Sequence, residues 1–493
     1  METARFLRYV LLSIAALFIV TYLILAFFRM GYPFELEWME GASVDHVIRI
    51  LYGEKVYVAP SLEFIPFIYT PLYFYVSAIL SKIMGVGFFP LRFLSFLSSL
   101  GCFLLIFLIV RRETGSKYSG VLASCLFAAV FRISGAWFDI ARVDSLFLLF
   151  LLGALYLIKF RESAKSYLLT GVLISLSFLT KQTALLICLP LMVYCFFVNR
   201  RLFIYLIGPV IIIIGSSTYL LNNLHNGWYN YYVFELPGQH SVVKSVFVAF
   251  WTKDIMSPLA ITFILSIFYL FAQGQNSNKK NLIFYGLMLI GMLGGAWFSR
   301  LHLGGYDNVL IPAYAALSIL FGIAAHTAFV WIKTAKTDKS RFLETYLYLI
   351  CIIQFLVLVY NPLAQVPTQK DLEAGHAFIN TLAQLPGEIL VPFHGYLPTL
   401  AGKRSCAHHQ AISDVLRGKD CPAKTELIKE IHQALQEKKF AALILDAPWY
   451  WEITGKHYAM QKKVFASEHV FWPVTGMRTR PQFIVVPKSD DIH

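Results

Sequence analysis

Charged residues are scarce in this sequence. Asp, Glu, Lys and Arg together make up 14% of the 493 residues, whereas hydrophobic residues make up 57%. A soluble globular domain usually carries about 25% charged residues. This deficit excludes an ordinary soluble protein and predicts a chain that crosses a membrane several times.

The motifs of nucleotide-binding proteins and zinc proteases are also missing. The sequence has no Walker loop, no Gly-rich dinucleotide fingerprint and no zinc-protease motif. His394, His408 and His409 lack the spacing of metal ligands, so we expect them to be surface residues. No cofactor is predicted, and the sequence leaves a divalent-metal requirement open. Without a nucleotide site, any substrate should arrive already activated.

Cysteines are few, and most lie in apolar runs. Cys102, Cys125, Cys188, Cys195 and Cys351 are most simply packing residues. Only Cys406 and Cys421 fall in the polar C-terminal region, where a disulfide would form only outside the cytoplasm. The sequence leaves that pairing open.

The net charge is +13, yet the basic residues do not form one polar surface of the kind that binds nucleic acid. Many fall in short loops between apolar runs, where positive charge sets membrane orientation. Nucleic acid is therefore not an expected partner.

Eleven apolar runs are candidate membrane spans. They lie at 7–28, 91–110, 118–136, 144–160, 167–180, 183–198, 203–221, 255–272, 281–298, 308–330 and 343–360. The first run follows Arg5 and Arg8 and is not followed by a small-residue cleavage pattern, so we interpret it as an uncleaved span rather than a signal peptide.

A further apolar run, residues 69–85, is interrupted by Pro71 and Lys82. If it crossed the membrane, the basic loops after alternate spans would all be translocated, against the positive-inside rule. We therefore expect an interfacial helix. This choice puts the N-terminus in the cytoplasm and the loops 29–90 and 222–254 outside.

The chain then divides into a membrane domain, residues 1–360, and a C-terminal part, residues 361–493. Apolar segments at 388–392, 440–446 and 483–487 predict strands, and 422–439 has helical spacing. The predicted fold is an all-α polytopic membrane domain of about eleven spans with interfacial helices, followed by a small extracytoplasmic α/β domain.

The first acidic turn, Phe34–Gly41, carries candidate catalytic groups at the membrane boundary. It contains Glu35, Glu37 and Glu40 beside Trp38. Glu37 and Glu40 would share a helix face, and either could act as a general base. The alternative is a solvated loop with incidental acids.

The second acidic turn, Trp137–Asp144, lies between two later spans. Asp144 begins a span, where a carboxylate is costly unless it is paired, although it could also serve as a helix N-cap. Arg142 could pair with Asp144 or hold a phosphate. We expect the two acidic turns to meet on one membrane face, with Glu40 and Asp144 facing one outward-open cavity.

Several residues near the predicted outer ends of spans are further candidates. Lys181, Arg142, Arg300 and Arg92 are candidate phosphate-binding cations, and Tyr69, His302 and Tyr306 are candidate substrate-binding residues. Snorkelling is the alternative role of Lys181. Carboxylates and cations together suit a lipid-linked phosphosugar, because cations stabilise the leaving phosphate while a carboxylate activates the acceptor hydroxyl.

The order of these features resembles the GT-C membrane glycosyltransferases, in the branch of the protein O-mannosyltransferases and lipid A aminoarabinose transferases. The resemblance rests on the acidic first outer loop, Pro71-Leu72-Tyr73-Phe74, Leu91-Arg92-Phe93, Arg142-Val143-Asp144 and Leu179-Thr180-Lys181. It implies inverting transfer of a sugar from a polyprenyl-phosphate donor to a glycan, lipid or protein acceptor, on the periplasmic face of an inner (plasma) membrane.

The resemblance also implies roles by position. Glu40 matches the second acid of the family's Asp-Glu pair, Asp144 the carboxylate of the second outer loop, and Lys181 the lysine after the fifth span. Two departures stand out, because Met39 replaces the first acid and Thr70 replaces the lysine of a common Lys-Pro. Glu37 or Glu40 must then serve as base.

Two other functions compete with an enzyme. A transporter or flippase of lipid-linked sugars would carry ionisable groups near the bilayer midplane, often with internal repeats, whereas here they lie at span ends and no repeat is visible. A noncatalytic GT-C-derived assembly subunit would keep the architecture without the chemistry.

Overall fold

A computed structural model of the chain describes residues 2–275, 279–335 and 339–489. The last residues of the predicted C-terminal part, 490–493, lie outside these ranges. The described chain is mostly helical up to residue 384 and carries its sheet beyond that point.

The membrane domain is a succession of helices. They are α1 (Glu2–Met30), α2 (Glu40–Leu51), α3 (Leu72–Met84), α4 (Phe88–Thr114), α5 (Lys117–Ala129), α6 (Asp144–Phe160), α7 (Ala164–Thr180), α8 (Ala184–Val198), α9 (Arg200–Leu224), α10 (Trp228–Asn230), α11 (Val246–Ala249), α12 (Ser257–Gln275), α13 (Lys279–Leu301), α14 (Ile311–Thr334) and α15 (Ser340–Val357). Short π- or 3-10-helical segments occur at Tyr231–Glu235, Pro237–Gln239, Phe250–Met256, Asp307–Leu310 and Pro362–Gln365.

Each predicted apolar run overlaps one of these helices. In the described chain, 7 helical segments are long and apolar enough to cross a membrane. They contain α1, α4, α9, α12, α13, α14 and α15. Helices α5 to α8 have 13 to 17 residues, below the roughly 20 that span a bilayer without tilt or thinning.

Helix α3 has the properties expected of a helix at an interface. It has 13 residues, buries Tyr73, Ser77 and Ser81 on one face, and exposes Ile79 and Ile83 on another. At ~1.5 Å per residue it is too short to cross the hydrocarbon layer.

Helix α14 forms the centre of the membrane domain, because its surface is buried by its neighbours on nearly all sides. Small residues make this packing possible. A Cβ on Gly322 would lie 2.8 Å from Ala123 Cβ of α5, so only glycine allows the two helices to approach this closely.

The C-terminal part surrounds a four-stranded sheet. Its elements are α16 (Gln369–Gln384), β1 (Ile389–Leu390), α17 (Leu397–Leu400), α18 (His409–Arg417), α19 (Pro422–Gln436), β2 (Ala442–Leu445), α20 (Trp451–His457), β3 (Tyr458–Lys463) and β4 (Phe483–Pro487). The strand order is β1-β2-β4-β3. Strand β1 pairs with β2 in parallel (Ile389 opposite Ala442), and β4 is antiparallel to both β2 and β3.

Strands β1, β2 and β4 lie within the segments in which the sequence predicts strands. Strand β3 was not predicted, because its residues after Tyr458 are all exposed and give no alternating apolar pattern.

The C-terminal part shares one hydrophobic core with the loop 29–90. Phe34, Trp38 and Val44 from the loop pack in the same cluster as Phe393 and Leu445 from the C-terminal part. The C-terminal part is therefore built into one face of the membrane domain, the face that carries the first acidic turn.

Candidate active site

A fully buried ion pair organises the first acidic turn. Arg92 Nε lies 2.9 Å from Glu40 Oε1, and its second guanidinium nitrogen lies 2.6 Å from Glu40 Oε2. Arg92 also donates to the carbonyl oxygens of Arg29, Tyr32 and Phe34. Burial alone would raise the pKa of Glu40, but the bonds from Arg92 lower it below its usual range.

Glu40 also joins the two acidic turns. Its carboxylate accepts a hydrogen bond from the Leu36 amide at 2.7 Å and from the Ala141 amide at 2.7 Å. The two turns thus meet, as the sequence predicts. These bonds occupy both oxygens of Glu40, and Glu40 does not line the cavity beside it.

That cavity has a volume of about 710 Å³ and opens between the membrane helices and the C-terminal part. Six of the residues predicted as site residues line it, namely Glu37, Tyr69, Arg142, Lys181, His302 and Tyr306. The volume lies within the 300–1,000 Å³ that is typical of small-molecule sites. Contrary to our expectation for a pair facing the cavity, both Glu40 and Asp144 lie behind its walls.

Glu37 is the carboxylate of the first acidic turn that reaches the cavity. One of its oxygens, Oε2, lies 3.4 Å from an Arg142 guanidinium nitrogen and accepts a bond from the Met39 amide at 3.2 Å. The other oxygen, Oε1, is buried without a partner. Burial raises the pKa of Glu37 to about 8, although Arg142 opposes the shift.

Arg142 lies in an aromatic cage. Its guanidinium carbon stands 5.4 to 5.6 Å from the ring centres of Phe67, Tyr69 and Trp137. It also donates to the Tyr69 hydroxyl at 3.0 Å. These contacts hold the permanently charged, planar guanidinium group of Arg142 in the cavity wall.

Lys181 provides the second cation. Its Nζ lies 2.7 Å from Asp144 Oδ1, which also accepts a bond from Asn308 Nδ2 at 3.0 Å. Asp144 Oδ2 is buried without a partner. Asp144 thus holds Lys181, which sits at the break between α7 and α8, at the cavity wall.

The turn after α13 contains residues that support the turn and residues that line the cavity. Arg300 bridges Asp254 at 3.0 Å and Asp307 at 3.1 Å, and it is not among the residues that line the cavity. His302 and Tyr306 do line it, and the Tyr306 hydroxyl donates to the Gly476 carbonyl at 3.4 Å.

The C-terminal part forms one side of the cavity. The sequence did not predict this contribution. Gln410 and Asp414 of α18, together with Gly476 and Met477, line this side. Burial raises the pKa of Asp414 to about 7. Gln410 and Asp414 are four residues apart, which puts them on one helix face, but nothing in the sequence connects that face to the membrane domain.

The expectation of surface histidines is wrong for His394 and His408, which are 4% and 3% exposed. His394 lies between the carboxylates of Glu35 and Asp446. His408 Nε2 lies 3.1 Å from the Trp38 carbonyl oxygen. Both are buried because they link the C-terminal part to the first acidic turn, a contact that the sequence does not show.

Neither a metal site nor a disulfide was found in the described ranges. No group of three or more His, Cys, Asp or Glu side chains is arranged there to hold a metal ion. Cys406 and Cys421 are both free thiols.

Comparison with known proteins supports the resemblance drawn from the sequence. A family model described as dolichyl-phosphate-mannose-protein mannosyltransferase matches residues 69–221. No curated protein sequence gives a significant match.

Solved structures match over nearly the whole chain. ArnT from Cupriavidus metallidurans bound to undecaprenyl phosphate matches with a TM-score of 0.62 and 13% identity, over 96% of this chain and 98% of that one. Its apo state gives 0.60 and 13% identity, over 95% and 97%. The Archaeoglobus fulgidus oligosaccharyltransferase in complex with Zn and sulfate gives 0.51 and 11% identity, over 87% and 67%. At these identities the likeness is one of fold, and it agrees with the GT-C fold that the resemblance implies.

Proposed function

We propose that this chain transfers a sugar from a polyprenyl-phosphate donor to an acceptor on the extracytoplasmic face of its membrane, with inversion at the anomeric carbon. The chain has the fold of the GT-C membrane glycosyltransferases. One observation carries the proposal. The cavity holds a carboxylate with an unpartnered oxygen, Glu37, on the same surface as two cations, Arg142 and Lys181.

Arg142 and Lys181 are the proposed phosphate-binding residues. Aromatic rings hold the guanidinium group of Arg142 in place, and Asp144 holds the ammonium group of Lys181. Both charges are therefore preorganised for an anion, and preorganised charges stabilise a leaving phosphate without rearrangement. The ArnT structure with bound undecaprenyl phosphate supports a polyprenyl phosphate as the carrier.

Glu37 is the proposed general base. Glu40 has both oxygens occupied by Arg92 and two backbone amides, whereas Glu37 keeps Oε1 free. In the proposed step the acceptor hydroxyl oxygen bonds to the anomeric carbon while the bond from that carbon to the phosphate oxygen breaks. The bonding electrons go to the phosphate, and the acceptor proton moves to Glu37.

The remaining predicted residues have supporting roles in this proposal. Glu40 and Arg92 hold the two acidic turns together, Asp144 holds Lys181, and Arg300 holds the turn that carries His302 and Tyr306. Tyr69, His302 and Tyr306 form walls against which the sugar would pack.

The orientation of the helices supports an outer location of the cavity. The cavity end of the membrane domain carries the C-terminus of α1 and the N-termini of α4 and α6. Arg111, Arg112 and Lys159 lie at the opposite ends of α4 and α6. By the positive-inside rule that opposite end is the expected cytoplasmic end, which supports an outer location for the cavity and the C-terminal part.

The buried charged groups count against a transporter. The ion pairs of Arg29, Arg92, Lys181 and Lys159 all lie at or near helix ends. A transporter would concentrate such groups near the bilayer midplane.

Replacing Glu37 with glutamine tests the proposal. The purified protein would be reconstituted in lipid nanodiscs with a panel of radiolabelled polyprenyl-phosphate sugars and a membrane extract as the source of acceptors. Release of polyprenyl phosphate would be measured. We expect turnover of at least one donor by the wild type and a loss of about 10²–10⁴-fold in Glu37→Gln, the usual contribution of a general base.

Glu63→Gln is the matched control, because Glu63 lies in the same outer loop with its side chain 54% exposed. It should turn over donor at the wild-type rate. A Glu37→Gln protein that folds and keeps full turnover would refute the base assignment. A wild type that binds polyprenyl phosphate but turns over no donor would indicate the noncatalytic assembly subunit.

A further inference from the structure

A buried histidine connects the C-terminal part to the first acidic turn. His394 Nδ1 lies 2.5 Å from Glu35 Oε2, and His394 Nε2 lies 2.9 Å from Asp446 Oδ2. All three side chains are 5% exposed or less. The bridge spans three separate segments, because Glu35 precedes α2, His394 follows β1 and Asp446 follows β2.

A second connection returns from Asp446 to Glu37. The Thr479 hydroxyl donates to Asp446 Oδ2. Three residues earlier, Gly476 lies against the Glu37 side chain, and the neighbouring Thr475 amide donates to the Leu36 carbonyl at 3.2 Å.

The Glu35 carboxylate closes the ring of contacts on the other side of Glu37. Its Oε1 accepts a hydrogen bond from the Gly41 amide at 3.1 Å, which ties together the two ends of the turn containing Glu37. The C-terminal part approaches so closely here that a Cβ on Gly41 would lie 2.1 Å from the Gly395 carbonyl oxygen. Glu37 thus lies beside Glu35 and Gly476, and the bridge through His394 and Asp446 connects Glu35 to Thr479 of the segment 475–479.

We infer that His394 is a positioning residue for Glu37: by bridging Glu35 and Asp446 it holds residues 475–479 over the Glu37 side chain and keeps that carboxylate dry and directed into the cavity. The inference rests on the proposed role of Glu37 as the base. It assigns the C-terminal part a direct share in the active site rather than the role of an appended domain.

A purely structural role explains the arrangement less well. Burying two carboxylates and an imidazole has a large desolvation cost, and a buried ionic network is weak evidence for stability, since apolar replacements are often equally stable. Burial would lower the pKa of His394, but Asp446 and Glu35 raise it to about 10, so the imidazole at the centre of the bridge is positively charged at neutral pH. A charged bridge is specific for one relative placement of the segments it joins.

The test needs no substrate. Dicyclohexylcarbodiimide modifies protonated carboxyl groups in apolar surroundings, and mass spectrometry of peptides would give the modified fraction of Glu37 as a function of pH. The titratable and charged groups that face Glu37 are Arg142 from the second acidic turn, Tyr306 from the turn after α13, and Glu35 and Glu40 from its own turn, which also supplies the Met39 amide. In the wild type, modification should persist up to about pH 8 because burial raises the pKa of Glu37 to about 8.

The variant His394→Gln should release residues 475–479 and admit water to Glu37. The pKa of Glu37 should then fall towards that of an exposed glutamate. The fraction of Glu37 modified by the carbodiimide at pH 7 should fall at least ~10-fold. Thr479→Val, which breaks only the return connection, should shift the profile in the same direction by less. His432→Gln is the matched control, because His432 is half-buried against the Tyr450 ring in the same part of the chain.

An unchanged Glu37 profile in folded His394→Gln would overturn the inference, even if that variant melted at a lower temperature. If His394→Gln fails to fold, the Thr479→Val profile decides in the same way. Because the profile is measured without transfer, it separates this inference from the proposed function. Retained turnover in Glu37→Gln would refute the role of Glu37 as the base. An unchanged pH profile of Glu37 modification in His394→Gln would refute the positioning role of His394.

Discussion

Gly476 lies directly against the side chain of Glu37, although one belongs to the C-terminal part and the other to the first acidic turn. A Cβ at position 476 would stand 2.6 Å from Glu37 Cγ and 2.9 Å from Glu37 Oε1. The φ of Gly476 is +77°, in the left-handed region that favours glycine. Glycine is required here by both space and backbone conformation, and the C-terminal part thereby forms one wall around the proposed base.

This contact predicts that Gly476→Ala displaces Glu37. We expect transfer to fall by at least ~10-fold, since displacement of a catalytic group by about 1 Å can cost 10²-fold. Gly402→Ala is the matched control, because Gly402 also has a positive φ, +70°, but nothing lies within 4 Å of the position of its Cβ. Both variants carry the backbone strain, and only Gly476→Ala carries the clash. Equal losses in the two would show that the contact with Glu37 is unimportant.

The raised pKa of Glu37 predicts the pH dependence of transfer. A base acts in its deprotonated form, and burial raises the pKa of Glu37 to about 8. Transfer measured as kcat/KM should therefore rise about tenfold for each pH unit below this value and level off above it. A profile that is flat from pH 6 to 9, with the protein intact throughout, would exclude Glu37 as the titrating base.

We predict that breaking the buried Arg92–Glu40 ion pair lowers the stability of the fold and does not act on the transfer step itself. Removing one partner of a buried ion pair leaves an uncompensated charge and costs roughly 3–5 kcal/mol. Arg92→Gln should therefore lower the thermal denaturation midpoint strongly. Arg404→Gln, in an ion pair whose Arg404 side chain is 65% exposed, should change it little.

The same pair separates Glu40 from Glu37 as the candidate base. We expect Glu40→Gln to lose folded protein and transfer together, because its carboxylate joins the two acidic turns. A Glu40→Gln protein of wild-type stability without transfer would instead indicate that Glu40 takes part in the chemistry.

We predict that Lys181 contributes to the affinity for the lipid carrier. Lys181→Met should weaken the binding of undecaprenyl phosphate at least ~10-fold, since a charge-assisted bond is worth about 1.5–3 kcal/mol. Binding would be measured in nanodiscs. Lys82→Met is the control, because Lys82 is an exposed cation on α3.

Lys181→Met also leaves Asp144 without its cation, so the double variant Lys181→Met with Asp144→Asn removes that unpaired charge. If the double variant binds undecaprenyl phosphate as tightly as the wild type, the loss in the single variant came from Asp144 and Lys181 does not contact the phosphate.

Particular residues show how far sequence reasoning could reach into the site. Glu37, Arg142, Lys181 and Tyr69 were predicted because unusual charged or aromatic residues near span ends need partners, and all four line one cavity. The choice between Glu37 and Glu40 could not be made, because both are glutamates in one turn. Only the bonds from Arg92 and the backbone amides distinguish them.

The sequence by itself determined the helical membrane architecture, since apolar runs, basic loops and a run too short to span follow from local hydrophobicity and charge alone. It also determined three of the four strands, which are short apolar segments. Tertiary structure alone decided which glutamate faces the cavity, that Asp414 and Gly476 line the same cavity, and that His394 bridges Glu35 and Asp446. These facts depend on contacts between segments hundreds of residues apart, and local sequence patterns carry no information about which distant partner a buried polar group will meet.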